Sequence, residues 1–324
     1  MRQGVAVTGD RFILGLQNAP KAEPHSTVIT LGTFDGIHLG HQAIFRRVRE
    51  IAQADKLQPI LVTFHPHPRV VVTPDKIPML LTTIEEKEQF VPHFFDGTTV
   101  VVEFNEQVKN LTAEEFVKQV LVDHLGVRRL VVGYDHALGK DRSGDIPELT
   151  RLGSEWGFDV EVVAPVIYDD KKVSSSRIRE ALSAGEFEMA LRLLGHDYAI
   201  AGKVERGIGL GRKIGYPTAN VSYNQRKLLP GQGVYACWVQ VGREEFDGMM
   251  FIGQNHFNPE ERLTVEANIF DFDRDIYDQN IIVHPTHFIR ENRKYDSTDE
   301  LVAQIERDKQ RVLEIFRKGE KTCR

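Results

Sequence analysis

The feature that most constrains this chain is a change of rhythm near Gly195. From residue 27 to about 195, short apolar runs at 58–64, 98–104, 129–133 and 160–166 are rich in Val, Ile and Leu. This is the texture of parallel strands buried on both faces. Between them lie helical patterns. Thr112 to Leu125 opens with Thr112-x-x-Glu115, a capping-box spacing, and carries Phe116, Val117, Val120 and Leu121 on one side. The alternation predicts a doubly wound α/β domain, where ligands bind beyond the carboxyl ends of the strands. Past Gly195 come glycines, turns and short alternating runs, with strands expected at 197–204, 234–242, 246–252, 263–270 and 281–289. That half reads as a small all-β sandwich or barrel. A last helix, Asp299 to Phe316, places Leu301, Ile305, Val312 and Phe316 on one stripe, suited either to a barrel end or to a peripheral position. With 324 residues, two domains are expected, 1–195 and 196–324.

Residues 32–41 read Gly32-Thr33-Phe34-Asp35-Gly36-Ile37-His38-Leu39-Gly40-His41, between the apolar run Thr27–Leu31 and a helical pattern through Ala43, Ile44, Val48 and Ile51. A glycine-rich strand-to-helix turn lets backbone N–H groups approach an anion, and the helix start adds positive potential. His38 and His41 could donate to phosphoryl oxygens there; otherwise they are surface residues of a tight turn. In Lys171-Lys172-Val173-Ser174-Ser175-Ser176-Arg177-Ile178-Arg179, three hydroxyls precede a helical pattern. They serve either as a plain N-cap or as a phosphate site, with Arg179 supplying charge. Together, the two segments resemble the paired signatures that bracket ATP phosphates in nucleotidyltransferases and class I aminoacyl-tRNA synthetases. The loop 133–140, with Asp135 and His136, follows a strand and forms a pocket lip or an ordinary turn. Phe64-His65-Pro66-His67-Pro68 suits a rigid loop better than a metal site.

In the second half, Gly202, Lys203, Gly207, Gly209, Gly211, Arg212, Lys213 and Gly215 lead into Pro217-Thr218-Ala219-Asn220. The glycines miss the Walker and dinucleotide registers. They could still fold around polyphosphate, or could mark barrel corners. Thr218 and Asn220 share one face of an extended segment and offer hard oxygen donors for Mg²⁺. Glu266, opposite Val265 and Ala267 in the strand pattern, could accept a proton from an alcohol attacking a γ-phosphate, or could simply face solvent.

Composition limits the partners. A net charge of -6 gives no general basic face for nucleic acid. No run is long and apolar enough for a membrane, and the first thirty residues lack a signal-peptide core. Cys237 and Cys323 are the only cysteines, which argues against a disulfide framework and suits the cytoplasm. Self-association is left open.

In combination, Gly32–His41, the Ser174–Arg179 stretch and Gly215-Tyr216-Pro217-Thr218-Ala219-Asn220 resemble the bacterial bifunctional riboflavin kinase/FMN adenylyltransferases, or FAD synthetases, across residues 27 to about 310. The resemblance implies a Rossmann-like nucleotidyltransferase domain followed by a six-stranded antiparallel β-barrel kinase. It implies substrates ATP, riboflavin and FMN, with Mg²⁺. His38, His41, Arg179 and Glu266 would act in catalysis, and Thr218 and Asn220 on the metal. ATP and its phosphates would meet Gly32, Phe34, Asp35, Gly40, Ser175, Ser176, Gly202, Lys203, Gly207, Gly211, Arg212, Gly215 and Pro217. Flavin would meet Asp135 and His136. Some positions depart from the family pattern. Thr33 and Ser176 keep polar groups where Asn or Thr, and Thr, are usual. His136 and Leu138 stand where phenylalanines are common, Gln254-Asn255-His256 replaces Arg-Pro-Thr, and Asn268 replaces histidine. Two other readings are a chain retaining one activity and a non-catalytic flavin or nucleotide binder.

Overall fold

A computed structural model describes residues 11–140, 143–207, 209–254 and 263–319. Asn255, His256 and Cys323 lie outside the described residues. The chain divides into two compact units, one of residues 1–78 and 87–173, the other of 79–86 and 174–324.

The first unit holds β1 (Phe12–Leu14), β2 (Thr27–Leu31), α1 (Leu39–Asp55), β3 (Gln58–His65), α2 (Arg69–Val72) and most of α3 (Ile84–Phe94). It continues with β4 (Thr98–Glu103), α4 (Glu106–Asn110), α5 (Ala113–Phe116), β5 (Val127–Gly133), α6 (Ile146–Trp156), β6 (Asp159–Val163) and a hairpin of β7 (Ile167–Tyr168) and β8 (Lys171–Lys172). Six parallel strands lie in the order β1-β4-β3-β2-β5-β6. Successive residues feed opposite cores: Ile29, Leu31, Val62 and Leu130 pack on one face, Val28, Leu61 and Val131 on the other. Each fully covered aliphatic side chain contributes about 1.5–3 kcal/mol. Because β3 lies on one side of β2 and β5 on the other, connections diverge beside β2. The loops leaving β2 and β5 therefore flank the switch point where open α/β sheets bind ligands.

The expected helix at 112–125 forms in two parts. Thr112 and Glu115 make the reciprocal capping box. After Phe116 the turns widen to π geometry over Val117–Val122, where the Asp123 N–H donates to the Lys118 carbonyl at 2.9 Å. The strand expected at 160–166 ends at Val163.

The second unit holds α7 (Ser175–Ser183), α8 (Phe187–Leu194), β9 (Ile200–Glu205), α9 (Leu210–Lys213), β10 (Ala219–Tyr223), β11 (Gly233–Val241), β12 (Glu244–Gln254), β13 (Leu263–Ile269), β14 (Asn280–Arg290) and α10 (Thr298–Arg317). The six strands close into an antiparallel barrel in the order β10-β13-β12-β11-β14-β9. β10 was not among the expected strands, because Pro217 and Asn220 read as turn residues. α10 packs on the barrel strands through Val312, Ile315 and Phe316 against Ala236, Met249 and Phe270. A fork from Arg290 to the buried Asp308 carboxylate, 2.8 Å at its shortest, fixes its rotation.

Residues 79–86 are bound into this unit. The Leu80 N–H donates to the Arg226 carbonyl (2.6 Å), and the Leu228 N–H donates back to the Leu80 carbonyl (2.8 Å). Lys227 and Glu86, each with a side chain 1% exposed, form an ion pair of 2.7 Å. Glu86 also accepts the N–H groups of Thr83 (2.9 Å) and Ala201 (3.0 Å). Lys227 also donates to the Leu81 carbonyl at 2.5 Å and lies over the Tyr198 ring.

Candidate functional site

In the first unit, the turn after β2 carries Phe34, Gly36 and Ile37 at positive φ (45°, 90° and 45°). Left-handed backbone at a non-glycine residue costs about 1–3 kcal/mol. Phe34 and Ile37 offset this by inserting into the core beneath α1, where they are 2% and 0% exposed. Gly32 lies under the Phe34 ring, and a Cβ on Gly40 would come within 3.1 Å of the His38 ring. His38 caps α1: its Nδ1 accepts the His41 N–H at 3.4 Å, so a neutral His38 carries its proton on Nε2 and presents a donor there. The two imidazoles stack with centroids 3.6 Å apart. His41 is only half-covered as a residue, yet its Nδ1 is sealed from solvent without a hydrogen-bond partner among the described residues. Burial first, then the neighbouring His38 and Lys87, hold its pKa well below the usual value. At neutral pH His41 is therefore an uncharged imidazole. Asp35, 1% exposed, lies in the same turn.

The loop after β5 makes a tight turn, with the His136 N–H donating to the Gly133 carbonyl (3.1 Å). Asp135 is exposed, and Leu138 belongs to the hydrophobic core. Tyr134 is covered by the Lys172 ammonium of the β7–β8 hairpin, 4.2 Å from the ring centroid.

In the second unit, α7 is capped by Ser174, whose Oγ accepts the Arg177 N–H (3.2 Å), so Ser175 and Ser176 are the first two helical residues. Arg179 donates from Nε to the Met79 carbonyl (2.7 Å). The structure thus places His38 and His41 in one unit and Ser175, Ser176 and Arg179 in the other.

The barrel brings three other sequence candidates together. β10 and β13 pair with Asn220 opposite Glu266, and Thr218 Oγ1 donates to Glu266 Oε2 at 3.0 Å. Pro217 is held by Asn268, whose amide donates to the Pro217 carbonyl (2.7 Å). A Cβ on Gly207 would lie 2.2 Å from the Asn220 amide nitrogen, so glycine leaves that amide its place. Gly211 closes on the Tyr216 carbonyl, whose residue in turn donates from its hydroxyl to Glu306 of α10 (2.6 Å). Gly215 takes φ 86°. Gly202 and Lys203 sit within β9 rather than in the loop, and Lys203 pairs with Asp278 at 2.8 Å. Arg212, exposed, reaches the Tyr277 hydroxyl at 3.5 Å.

Sequence reasoning overlooked Lys87 and the structural use of Asn268. Lys87 stands in Ile84-Glu-Glu-Lys-Glu-Gln, which reads as a solvated helix face, yet it is 6% exposed. Among the described residues, no group of His, Cys, Asp and Glu has metal-binding geometry, and no helix is long and apolar enough to cross a membrane.

A parallel nucleotidyltransferase-type sheet followed by a closed barrel defines a two-domain transferase class, and the sequence comparisons agree. The FAD synthetase family model matches residues 20–177, and the riboflavin kinase model matches 194–316. The bifunctional riboflavin kinase/FMN adenylyltransferase of Escherichia coli K12 is 35% identical over 94% of this chain and 98% of its own length. That of Bacillus subtilis is 37% identical over 91% and 94%. A solved Streptococcus pneumoniae structure, described as a macrolide-efflux protein, superposes with a TM-score of 0.81 at 32% identity, covering 93% of this chain and 98% of that one. The chain belongs to the bifunctional riboflavin kinase/FMN adenylyltransferase family.

Proposed function

We propose that the chain phosphorylates riboflavin to FMN with one ATP and adenylylates FMN to FAD with a second, releasing ADP and pyrophosphate in turn. The division of labour falls at 195/196, with adenylyl transfer before it and the kinase after it. The observation that carries the reading is the barrel constellation, in which Glu266 lies opposite Asn220 and accepts from Thr218.

In the kinase step, Glu266 takes the proton of the ribityl 5′-hydroxyl as that oxygen attacks the γ-phosphorus and the bond to the ADP oxygen breaks. The hydroxyl of Thr218 and the amide oxygen of Asn220 fit Mg²⁺, which prefers oxygen ligands and keeps several waters. When bound, the ion neutralises charge on the phosphates. Gly207, Gly211, Arg212, Gly215 and Pro217 line the approach of ATP, while Gly202 and Lys203 act from β9.

In the adenylyl step, an FMN phosphate oxygen attacks the α-phosphorus of ATP and pyrophosphate leaves. His38 donates from Nε2, and His41, neutral when free, is ready to share a proton as charge develops. Gly32, Phe34, Asp35 and Gly40 shape the turn. Ser175, Ser176 and Arg179 are assigned to the same transfer through their family signature, and Asp135 and His136 to the flavin. No protein nucleophile is needed, so positioning and electrostatics supply the rate. The same reading places the protein in the cytoplasm, acting on small molecules and not on nucleic acid or membranes.

Chromatography of riboflavin with ATP and Mg²⁺ tests this reading: FMN should appear first, then FAD. Glu266→Gln should abolish FMN formation while added FMN is still adenylylated, and His41→Ala should do the reverse. Loss of both activities in either folded variant would refute the assignment.

A further inference from the structure

Lys87, whose side chain is buried in the first unit, has no role in the reading above. Its Nζ donates to the Thr33 carbonyl at 2.5 Å, and the Thr63 hydroxyl donates to the same oxygen at 3.3 Å. Thr33 is the last residue before the left-handed stretch, so its peptide plane sets the direction in which the turn departs. In a trans peptide the C=O and N–H point opposite ways. With the Thr33 carbonyl fixed on the ammonium, the Phe34 N–H is directed away from Lys87. A buried ammonium needs strong partners. Burial pulls the Lys87 pKa below its ordinary value, and this carbonyl and the Asp35 carboxylate are the partners that favour its charged form against that burial. A purely structural role would be met at less cost by an uncharged side chain of similar length.

We propose that Lys87 is a positioning residue for adenylyl transfer: it fixes the 33–38 turn through the Thr33 carbonyl and brings its amine into the electrostatic surroundings of His41. This rests on the assignment of the His38–His41 turn to the ATP phosphates. The titratable groups that bear on His41 are His38 from its own turn and Lys87 from α3, and Asp35 bears on Lys87. Burial first, then His38 and Lys87, keep the free His41 ring neutral until the triphosphate arrives with enough negative charge to draw a proton onto it. The turn is then held in shape before the substrate binds.

The test uses the full chain with Lys87→Met and Lys87→Arg, His41→Ala serving as reference. FMN adenylylation is measured as kcat and KM for ATP across pH, and the His41 Cε1–H titration is followed by NMR, assigned through His41→Ala. Circular dichroism and the unfolding midpoint report folding. Lys87→Met should lower kcat/KM for ATP about 10²-fold, the scale of a misplaced reacting geometry, and move the His41 midpoint upward. Lys87→Arg should keep the midpoint and most of the activity. Wild-type adenylylation in Lys87→Met, or lost activity with an unmoved His41 midpoint, would overturn the proposal. Should the methionine variant not fold, the arginine variant decides: large loss of activity with retained charge and an unmoved midpoint refutes it. An active His41→Ala would instead sink the underlying site assignment, whatever Lys87 does.

Discussion

Lys227→Met should destabilise the second unit severely. The change keeps side-chain length but removes the charge that Glu86 faces, and both side chains are 1% exposed. Breaking a buried pair from one side costs about 3–5 kcal/mol, because the remaining charge stays desolvated. Glu86 would retain two backbone donors, Thr83 and Ala201. Methionine would also still fill the space against Tyr198. Both facts place the expected loss at the lower end, about 3 kcal/mol. In a unit of this size each kcal/mol moves Tm by about 2–4 °C, so calorimetry should show a fall of roughly 6–12 °C. The double variant Glu86→Gln/Lys227→Met should recover at least about 1 kcal/mol over the sum of the single changes, since the two residues are in contact. A fall of under about 2 °C for Lys227→Met, or strict additivity, would refute the view that this pair anchors residues 79–86.

Two further changes probe the sites. Gly207→Ala introduces a Cβ 2.2 Å from the Asn220 amide, so that side chain must swing aside; riboflavin phosphorylation should fall about 10–100-fold with Tm nearly unchanged, and normal kinetics would show that the Asn220 position does not matter. The depressed pKa of His41 sets a stability window: the unfolded chain binds more protons than the folded one below the usual 6.5. Stability is full above that pH and is lost as pH falls toward the folded value. His41→Gln should flatten the slope of unfolding free energy over this range, and an unaltered slope in denaturant titrations would contradict the burial described.

Much of both halves was legible because their local rules agree with their tertiary roles. The turn at 32–41 announced itself through glycines between a β-rich run and a helical pattern, and the five expected barrel strands all formed. β10 escaped because its short sequence, Ala-Asn-Val-Ser-Tyr, gains strand character only from pairing with β9 and β13. The π turns after Phe116 escaped because capping signals mark where a helix starts, not how its hydrogen bonds are spaced. Lys87 and Lys227 escaped for a deeper reason. A lysine in a charged helix or a polar turn reads as solvated, and only long-range partners reveal its burial. The partition of 79–86 likewise depends on contacts invisible in local sequence. Asn268 shows the converse: its departure from the usual histidine was visible, but its grip on the Pro217 carbonyl was not.

The placement of residues 79–86 has a consequence for biosynthesis. Glu86 precedes its counter-ion by 141 residues. At about 5–20 residues per second, Lys227 is made roughly 7–28 s after Glu86, so the carboxylate lacks this counter-ion over that interval. The barrel unit is therefore not a tail that folds after its predecessor is finished. It incorporates a strip made early, whose partners in this unit come from the chain synthesised later. Messenger features or chaperones that slow or shield this interval would act on maturation of the kinase through a sequence that lies far upstream of it.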